Sequence, residues 1–393
     1  MTDNNVAGTK PVIYFVGRYE PEAANGVLKV LYSYSQILSD MVDFNFVSLS
    51  LDHPKGYEVE TRDRITIHRF GKPFFLGFSL PGEVRDWVAQ IPKDAIFHLH
   101  GVFRPINYAF ARLLTKHNIR YLYTPHDSYD KMSLQSKAIQ KRVYIELFEK
   151  YILQNASKIH ALTPKGIQNI SRYTANEIVE IPNFILPPHI QPPPLETRKN
   201  ICFIGRLDVF QKGLDLMLPA FRLFRECHAE PVQFLVIGPD SEQSMPSLTQ
   251  KCQKMGLDVG KDVIFTGELS EEEKWKTLNS CRVYFQLSRF EGFGLSVVEA
   301  LALGVPVVIS GAIPISRAIT SRNAGRVVMS PEEAAQALEA LFRLSDDDYE
   351  ALSGRARLTY QTLYSSEIVK EQILQMYLGI APKLSTVDLE LAI

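Results

Sequence analysis

Short apolar runs alternate with amphipathic segments along most of this chain of 393 residues. Runs such as "VIYFV", "FNFVSL" and "IFHLH" have the length and composition of buried strands. Residues 27–38 instead carry apolar side chains at helical spacing. Strands that alternate with helices form parallel sheets covered by helices on both faces. The pattern therefore predicts an α/β protein built from doubly wound, Rossmann-like sheets.

A proline-rich stretch divides the pattern into two halves. Residues 184–200, "FILPPHIQPPPLETRKN", contain five prolines, which interrupt both helices and sheets. The alternation restarts directly afterwards with "NICFIG". We therefore expect an N-terminal α/β domain over residues 1–185, a second over 186–365, and a cleft between them. Residues 366–393 are expected to form a C-terminal helix that packs back on the first domain, and a tail.

Charge and composition exclude some classes of partner and leave others open. The net charge of -1 gives no reason to expect nucleic acid as a partner. Residues 101–165 hold 11 basic and 4 acidic residues, an excess that suits a negatively charged membrane surface or merely a solvated helix face. The aromatic loop "KPFFLGF", residues 72–78, offers either lipid contact or core packing.

The sequence also carries expectations about metals and location. Its four cysteines form no CxxC pair and have no close histidine cluster, so a zinc site is not expected. No cofactor is expected, and no metal is needed where lysine and arginine side chains supply the positive charge. The start, "MTDNNVAGTKPVIYFVG", has no signal-peptide pattern, and no run of about 18 apolar residues occurs. We expect a cytoplasmic protein, and the sequence leaves open whether it also makes peripheral contact with the inner face of the cell membrane.

The strongest candidate site lies in residues 288–308, "SRFEGFGLSVVEALALGVPVV". Glu291 lies in the loop that leaves a buried strand, and Glu299 lies about one turn inside the following helix. Ligands of open α/β sheets bind at the carboxyl ends of strands, where this loop is placed. The helix begins with free backbone amides, which favour an anion. These amides belong to Gly292, Phe293, Gly294 and Leu295.

A second strand-end loop, "FIGRLDVFQKGLDLML", supplies two cations. Arg206 follows a strand and Lys212 precedes the next helix. A guanidinium and an ammonium beside a helix N-terminus suit a diphosphate, although both residues can also be ordinary surface charges. Glu291 can accept hydrogen bonds from sugar hydroxyls and Glu299 from a ribose diol, unless Glu299 pairs with a base inside the fold. A nucleoside-diphosphate sugar satisfies the whole set.

These motifs resemble those of a known family. "EGFGLSVVEALALGVPVV" resembles the Glu-x7-Glu signature of family-4 glycosyltransferases, which are retaining enzymes of the GT-B fold. "FIGRLDVFQKGLDLMLPAF" resembles their diphosphate motif, and "NGVLKV", "HLHG" and "TPHDSYD" resemble more loosely the loops of their first domain. The arrangement is most similar to members that build exopolysaccharides or cell-envelope glycans.

The resemblance assigns roles to individual residues. It implies that Glu291 binds the donor sugar, Glu299 the ribose, and Arg206 with Lys212 the diphosphate leaving group. It further implies roles in the first domain. His126 would lie beside the reacting sugar, Gly26 would let the first helix approach the phosphates, and His100 and Asp127 would face the acceptor.

The sequence departs from the family pattern at two places, and three rival functions remain as alternatives. Where the family often has paired glycines this chain has Asn25 and Gly26, and Phe184 replaces the glycine of a P-N-G motif. The rivals are a sugar-nucleotide epimerase of similar fold, a catalytically inactive sugar-nucleotide-binding protein, and a glycoside hydrolase. The last would use Glu291 and Glu299 as a carboxylate pair about 5–10 Å apart. The expected partners are a nucleotide-sugar donor and a glycan or lipid-linked acceptor.

Overall fold

The described residues form two compact units, each built around its own sheet. One unit comprises the described parts of Met1–Asn183 and Val369–Ile393, and the other comprises Phe184–Ile368. Both are parallel or largely parallel sheets between helices, so the predicted α/β class with two Rossmann-like sheets is confirmed. The computed structural model describes residues 10–17, 26–49, 56–62, 64–71, 77–126, 129–135, 137–240 and 243–380.

The first unit contains an eight-stranded sheet among its described residues. Its order is β3-β4-β2-β1-β5-β6-β7-β8, and all neighbours are parallel except the antiparallel pair β3 and β4. The sequence pattern did not reveal that pair, because the exposed β3 lacks an apolar run. The strands are β1 (Val12–Val16), β2 (Asp43–Leu49), β3 (Tyr57–Arg62), β4 (Ile65–Phe70), β5 (Ile96–His100), β6 (Arg120–Thr124), β7 (Lys158–Ala161) and β8 (Ile178–Glu180).

Helices that bury one apolar side cover this sheet. Phe110 and Leu114 of α3, for example, are fully buried in the same core as Phe97 and Tyr121 of the strands. One long helical segment contains a π-helical turn, Ile145–Glu149, between α5 and α6. The helices are α1 (Gly26–Leu38), α2 (Gly82–Gln90), α3 (Pro105–Lys116), α4 (Lys131–Gln135), α5 (Ala138–Tyr144), α6 (Lys150–Asn155) and α7 (Pro164–Ile170).

The second unit contains a six-stranded parallel sheet of order β11-β10-β9-β12-β13-β14. The chain moves outward from β9 to β11 and then returns to the other side of β9 with β12. The strand order therefore reverses between β9 and β12, and ligands of such sheets bind at this switch point. The strands are β9 (Asn200–Ile204), β10 (Phe234–Ile237), β11 (Val263–Gly267), β12 (Cys281–Gln286), β13 (Val307–Ser310) and β14 (Gly325–Val328).

The helices of the second unit pack on this sheet around buried residues such as Phe221, Phe234 and Leu338. Several begin at a serine that caps them, as Ser345 does by accepting a hydrogen bond from the Asp348 amide. The helices are α8 (Val209–Lys212), α9 (Leu214–Cys227), α10 (Met245–Lys254), α11 (Glu271–Ser280), α12 (Leu295–Ala302), α13 (Ser316–Ser321), α14 (Pro331–Phe342) and α15 (Asp346–Leu363). The last helix, α16 (Ser366–Leu378), passes from this unit into the first at Val369.

The proline-rich stretch is fastened to the second unit. The Tyr360 hydroxyl donates to the Ile185 carbonyl at 3.2 Å, and the Asn279 amide donates to the Gln191 carbonyl at 2.9 Å. The end of α16 belongs to the first unit, where Tyr377 is fully buried. None of the described helices is long and apolar enough to cross a membrane. Residues 381–393, which include the predicted tail, lie outside the described residues.

Candidate functional site

The loop after β9 carries the two predicted cations at the switch point. Arg206 lies just beyond the strand end, is exposed, and forms no ion pair with another described residue. Lys212 ends the short helix α8, which Asp208 caps by accepting a 2.8 Å hydrogen bond from the Gln211 amide. Gly213 then turns the chain into α9 with a φ of 70°.

Gly213 lets this loop approach the loop after β12. A Cβ atom at this position would overlap the Leu287 carbonyl, so only glycine fits. Beside this approach, the Arg289 guanidinium pairs with the Asp215 carboxylate through two bonds of 2.8 Å each. The Arg289 amide also donates to the Gln211 carbonyl at 2.9 Å. These links fix the two strand-end loops against each other.

Glu291 and Lys212 form an ion pair at this point. Lys212 Nζ lies 2.7 Å from Glu291 Oε1, and both side chains are largely buried. Gln286 Nε2 and Ser288 Oγ donate to the same oxygen, each at 2.7 Å. Three donors exceed the two lone pairs of Oε1, so no further donor can bind this oxygen. A sugar hydroxyl would therefore bind Oε2, to which no described residue donates. Lys212 has three N–H donors and uses one for Glu291, so two are available for an anion.

The first turn of α12 lies directly after Glu291. Gly294 precedes the helix with a φ of 105°, and Leu295 is its first residue. The amides of this turn have no partner within the helix, so they are available to an anion. The side chain of Phe293 faces away from solvent and packs edge-on against Tyr364, with ring centres 5.8 Å apart. Its contribution to a ligand site would come from its backbone.

Glu299 forms the internal ion pair that the sequence left open as an alternative. Lys274 Nζ lies 2.7 Å from Glu299 Oε1 and 2.9 Å from Glu271, and both Lys274 and Glu299 are buried. Burial opposes the charge on Lys274, but these carboxylates outweigh it and raise the pKa of the ammonium. A capping box between Ser270 and Glu273 starts the helix that carries Lys274.

A chain of hydrogen bonds crosses three strands of the first unit. The Nε2 atom of His160 donates to the Ile181 carbonyl at 2.7 Å, so its Nδ1 accepts from Thr124 at 3.0 Å. Thr124 then accepts from His98 Nε2 at 2.7 Å, and His98 Nδ1 accepts from the Tyr377 hydroxyl at 2.9 Å. Every donor in the chain has an acceptor only if both imidazoles are neutral. His98 is therefore a satisfied core residue that ties α16 to the sheet.

His100 and His126 lie together beside this chain. His100 Nδ1 and His126 Nε2 are 3.1 Å apart, and His126 follows β6 with a φ of 56°. Burial, with the nearby His160 and Arg104, lowers the pKa of His126 to about 3. Burial also holds the pKa of His100 well below its usual range. Neutral imidazoles can orient a sugar hydroxyl by hydrogen bonding, but they cannot supply positive charge.

Only some of the other site residues predicted for the first unit lie among the described residues. Gly26 is the first residue of α1. Asp127 and Asn25 lie outside the described residues, as do residues 72–76 of the aromatic loop. Phe78, at the end of that loop, packs against Phe148 with ring centres 4.7 Å apart.

Sequence reasoning missed a buried carboxylate that holds two loops of the first unit. Glu149 Oε1 accepts from the Phe103 amide at 2.8 Å, and Oε2 accepts from the hydroxyls of Tyr123 and Tyr129 at 2.7 Å each. Burial raises the pKa of Glu149, although these donors act in the opposite direction. Its spacing from Ile145 and Ile152 places it among apolar helical positions, a signal that could have revealed it.

Gln286 and Lys274 were also missed. Gln286 interrupts the apolar run "VYFQL", and a buried amide needs hydrogen-bond partners, so the sequence did contain a signal. Lys274 stands in "EEEKWK", which reads as a solvated surface. No pattern in the sequence links it to Glu299, 25 residues further along.

The comparisons with known proteins agree with a GT-B fold. A model of glycosyl transferases group 1 matches residues 189–359, and a model of the glycosyl transferase 4-like domain matches residues 26–183. Together the two glycosyltransferase models cover most of the chain.

Individual relatives are distant in sequence. The phosphatidyl-myo-inositol mannosyltransferase of Mycobacterium leprae is 28% identical over 219 residues, which are 54% of this chain and 56% of that protein. The chain thus spans about half the length of the curated relatives it matches first. Sucrose-phosphate synthase from Thermosynechococcus elongatus superposes with a TM-score of 0.76 at 20% identity, over 94% of this chain and 99% of that one. Anabaena HepE, in complex with UDP and glucose, gives 0.71 at 15% identity, over 94% and 100%. At these identities the structures share the fold alone.

Proposed function

We propose that the chain transfers a sugar from a nucleoside-diphosphate sugar to an acceptor hydroxyl, with retention of the anomeric configuration. The observation that carries the proposal is the Lys212–Glu291 ion pair at the switch point between β9 and β12. A diphosphate requires cations, and sugar hydroxyls are well matched by a carboxylate. In this pair, an ammonium and a carboxylate lie at hydrogen-bond distance from each other.

The donor is held by residues of both strand-end loops. Arg206, Lys212 and the first amides of α12 bind the diphosphate, and Oε2 of Glu291 accepts from the sugar hydroxyls. Glu299 binds the ribose with the oxygen that Lys274 leaves unoccupied. UDP is the first nucleotide to test, because Anabaena HepE is described with UDP and glucose.

The reaction breaks the bond between the anomeric carbon and the diphosphate oxygen. The electron pair stays on the diphosphate, where Arg206 and Lys212 stabilise the new charge. The acceptor oxygen forms its bond on the same face of the sugar, and its proton passes to a phosphate oxygen. Two cations supply the charge that a metal supplies elsewhere, so the proposal includes no metal. His126, as a neutral imidazole, can orient a sugar hydroxyl by hydrogen bonding but cannot carry positive charge.

The acceptor is a glycan or a lipid-linked molecule, in the synthesis of polysaccharides or cell-envelope glycans. Two facts support this class of acceptor. The motifs of the first unit resemble members of the family that build such polymers, and a relative is named for mannosylation of phosphatidyl-myo-inositol.

A thermal-shift screen with UDP-, GDP- and ADP-sugars tests the proposal. A ligand that binds only the folded protein raises its melting temperature, so at least one of the three sets should do so. Release of the nucleoside diphosphate, unchanged by EDTA, should follow when acceptor is added. No stabilisation by any donor contradicts the proposal.

The three rivals give different outcomes when the screen is combined with assays of turnover. An inactive binding protein would be stabilised without turnover. An epimerase would convert the bound sugar nucleotide to its isomer without an acceptor. A glycoside hydrolase would cleave a simple glycoside that has no nucleotide.

A further inference from the structure

A row of apolar side chains points into solvent from the helical segment that begins with α5. Ile139 is 81% exposed, Val143 is 50% exposed and Leu147 is 60% exposed. They follow one another at intervals of four residues, a spacing that keeps side chains on nearly the same side of a helix. We call Ile139, Val143 and Leu147 the apolar row.

The core of the first unit does not require this row. The same segment already buries a different side, where Ile145 is fully enclosed. Tyr144 and Phe148 pack against Phe78, with ring centres 6.3 and 4.7 Å apart. The segment thus has a complete inward face, and the apolar row lies outside it.

Basic residues flank the apolar row along the chain. Lys131, Lys137 and Arg142 are exposed on α4, before α5 and on α5. Residues 131–150 contain five basic and two acidic residues, a difference of three positive charges. The two acidic residues add little to the exposed charge, because Glu146 pairs with Lys150 at 2.7 Å and Glu149 is fully buried.

From this combination we infer that the apolar row docks the protein on an anionic lipid surface. Apolar side chains enter the boundary of the acyl chains, while lysine and arginine side chains meet the lipid phosphates. A protein partner suits the surface less well. Three side chains on one helical segment cover far less than the roughly 800 Å² that each partner of a stable complex buries.

This surface belongs to the first unit and does not depend on the donor site. Its binding can therefore be tested whether or not the proposed transfer is correct. The probe is co-sedimentation with phosphatidylcholine vesicles that contain or lack phosphatidylglycerol. The protein should bind the anionic vesicles only. High salt should release it, because the Debye screening length falls to about 3 Å at 1 M salt.

Two variants separate the apolar contribution from the charge. Replacing the whole apolar row by serine (Ile139→Ser, Val143→Ser, Leu147→Ser) should weaken binding at least about tenfold. Replacing Lys137 and Arg142 by glutamine should weaken it roughly thirtyfold, which is ~2 kcal/mol at about 1.4 kcal/mol per tenfold change. The matched control is Met329→Ser in the second unit, since Met329 is also 81% exposed, and it should bind like the wild type.

The inference fails if the wild type ignores anionic vesicles at low salt, or if the serine variant binds as well as the wild type. It also fails if the wild type forms a dimer that the serine variant loses, because the row would then be an interface between copies. All three side chains are exposed, so the variant should keep its melting temperature. If it does not, Ile139→Ser alone replaces it.

Discussion

Gln286 donates a hydrogen bond of 2.7 Å from its side-chain amide to Oε1 of Glu291. The amide cannot rotate to present its oxygen instead, because that oxygen accepts a 2.7 Å hydrogen bond from Tyr284. Gln286 also donates to Ser288, which itself donates to Glu291. Gln286 is fully buried, so this network sets the direction in which the carboxylate of Glu291 points.

We therefore expect Gln286→Leu to impair the use of the donor. Leucine keeps most of the volume but removes the donor, and losing such a hydrogen bond costs ~1–2 kcal/mol. Turnover with the sugar nucleotide should fall about tenfold, whereas affinity for the bare nucleoside diphosphate should stay within about twofold. Steady-state kinetics and calorimetry measure the two quantities.

A double-mutant cycle distinguishes orientation of Glu291 from a general loss of stability. In a Glu291→Gln background, Gln286→Leu should lower turnover little further, because the carboxylate that Gln286 orients is already lost. Val283→Ala, a buried core substitution in the same strand, should cause the same loss in both backgrounds. If Gln286→Leu also has equal effects in both backgrounds, Gln286 does not act through Glu291.

Arg206→Ala and Lys212→Ala should both weaken the nucleoside diphosphate, by ~1.5–3 kcal/mol each, since both lose a charge-assisted contact. The two variants should differ in their melting temperatures. Arg206 is exposed, so its loss should leave the melting temperature unchanged. Loss of Lys212 removes the cation from the largely buried Glu291 and should lower the melting temperature.

Calorimetry and thermal unfolding of both variants test this difference. Lys276→Ala is the control, because Lys276 is an exposed lysine paired with Glu272 on α11, and it should change neither quantity. Unchanged nucleotide affinity in both variants would remove the diphosphate assignment.

The histidines of the first unit should make its stability depend on pH. Burial lowers the pKa of His160 to about 4 and of His126 to about 3, against 6.5 for an ordinary histidine. At pH values between the lowered pKa of each histidine and 6.5, that histidine binds a proton in the unfolded chain but not in the folded chain. The free energy of unfolding should therefore fall as the pH drops below about 6.5, by ~1.4 kcal/mol per pH unit for each such histidine.

His160→Gln should reduce that slope, because glutamine supplies one donor and one acceptor without titrating. Denaturant unfolding at several pH values between 6.5 and about 4 measures the slope. His189→Gln is the control, since His189 is exposed, and it should leave the slope unchanged. An unaltered slope in His160→Gln would mean that the residue does not remain neutral in the folded protein.

The sequence was most informative where one strand or one loop decides the structure. Apolar runs located the parallel strands, and the loops after β9 and β12 located Arg206, Lys212 and Glu291. The exposed β3 was not predicted, because only its pairing with β4 makes it a strand.

Contacts between distant parts of the chain were not predictable. Lys274 reaches Glu299 from another helix, and Tyr377 reaches His98 across 279 positions. Such partners depend on how helices pack on the sheet, which local spacing does not record. The orienting role of Gln286 likewise depends on the approach of two loops.

In the proposed donor complex, the second unit holds the sugar at Glu291 and the ribose at Glu299. The most direct test is calorimetry of the bare nucleoside diphosphate and of the matching sugar nucleotide with two variants. Circular dichroism should first confirm that both are folded. Lys274→Met is the control, because it breaks the ion pair of Glu299 but keeps the carboxylate.

Glu291→Gln should weaken the sugar nucleotide about tenfold and leave the bare nucleotide nearly unchanged, because only the sugar reaches Glu291. Glu299→Gln should weaken both ligands alike, and Lys274→Met should weaken neither by as much. Equal losses on both ligands for both glutamate variants, or the reverse pattern, would contradict this placement of the donor. If Lys274→Met matches Glu299→Gln, Glu299 supports the fold rather than binding the ribose.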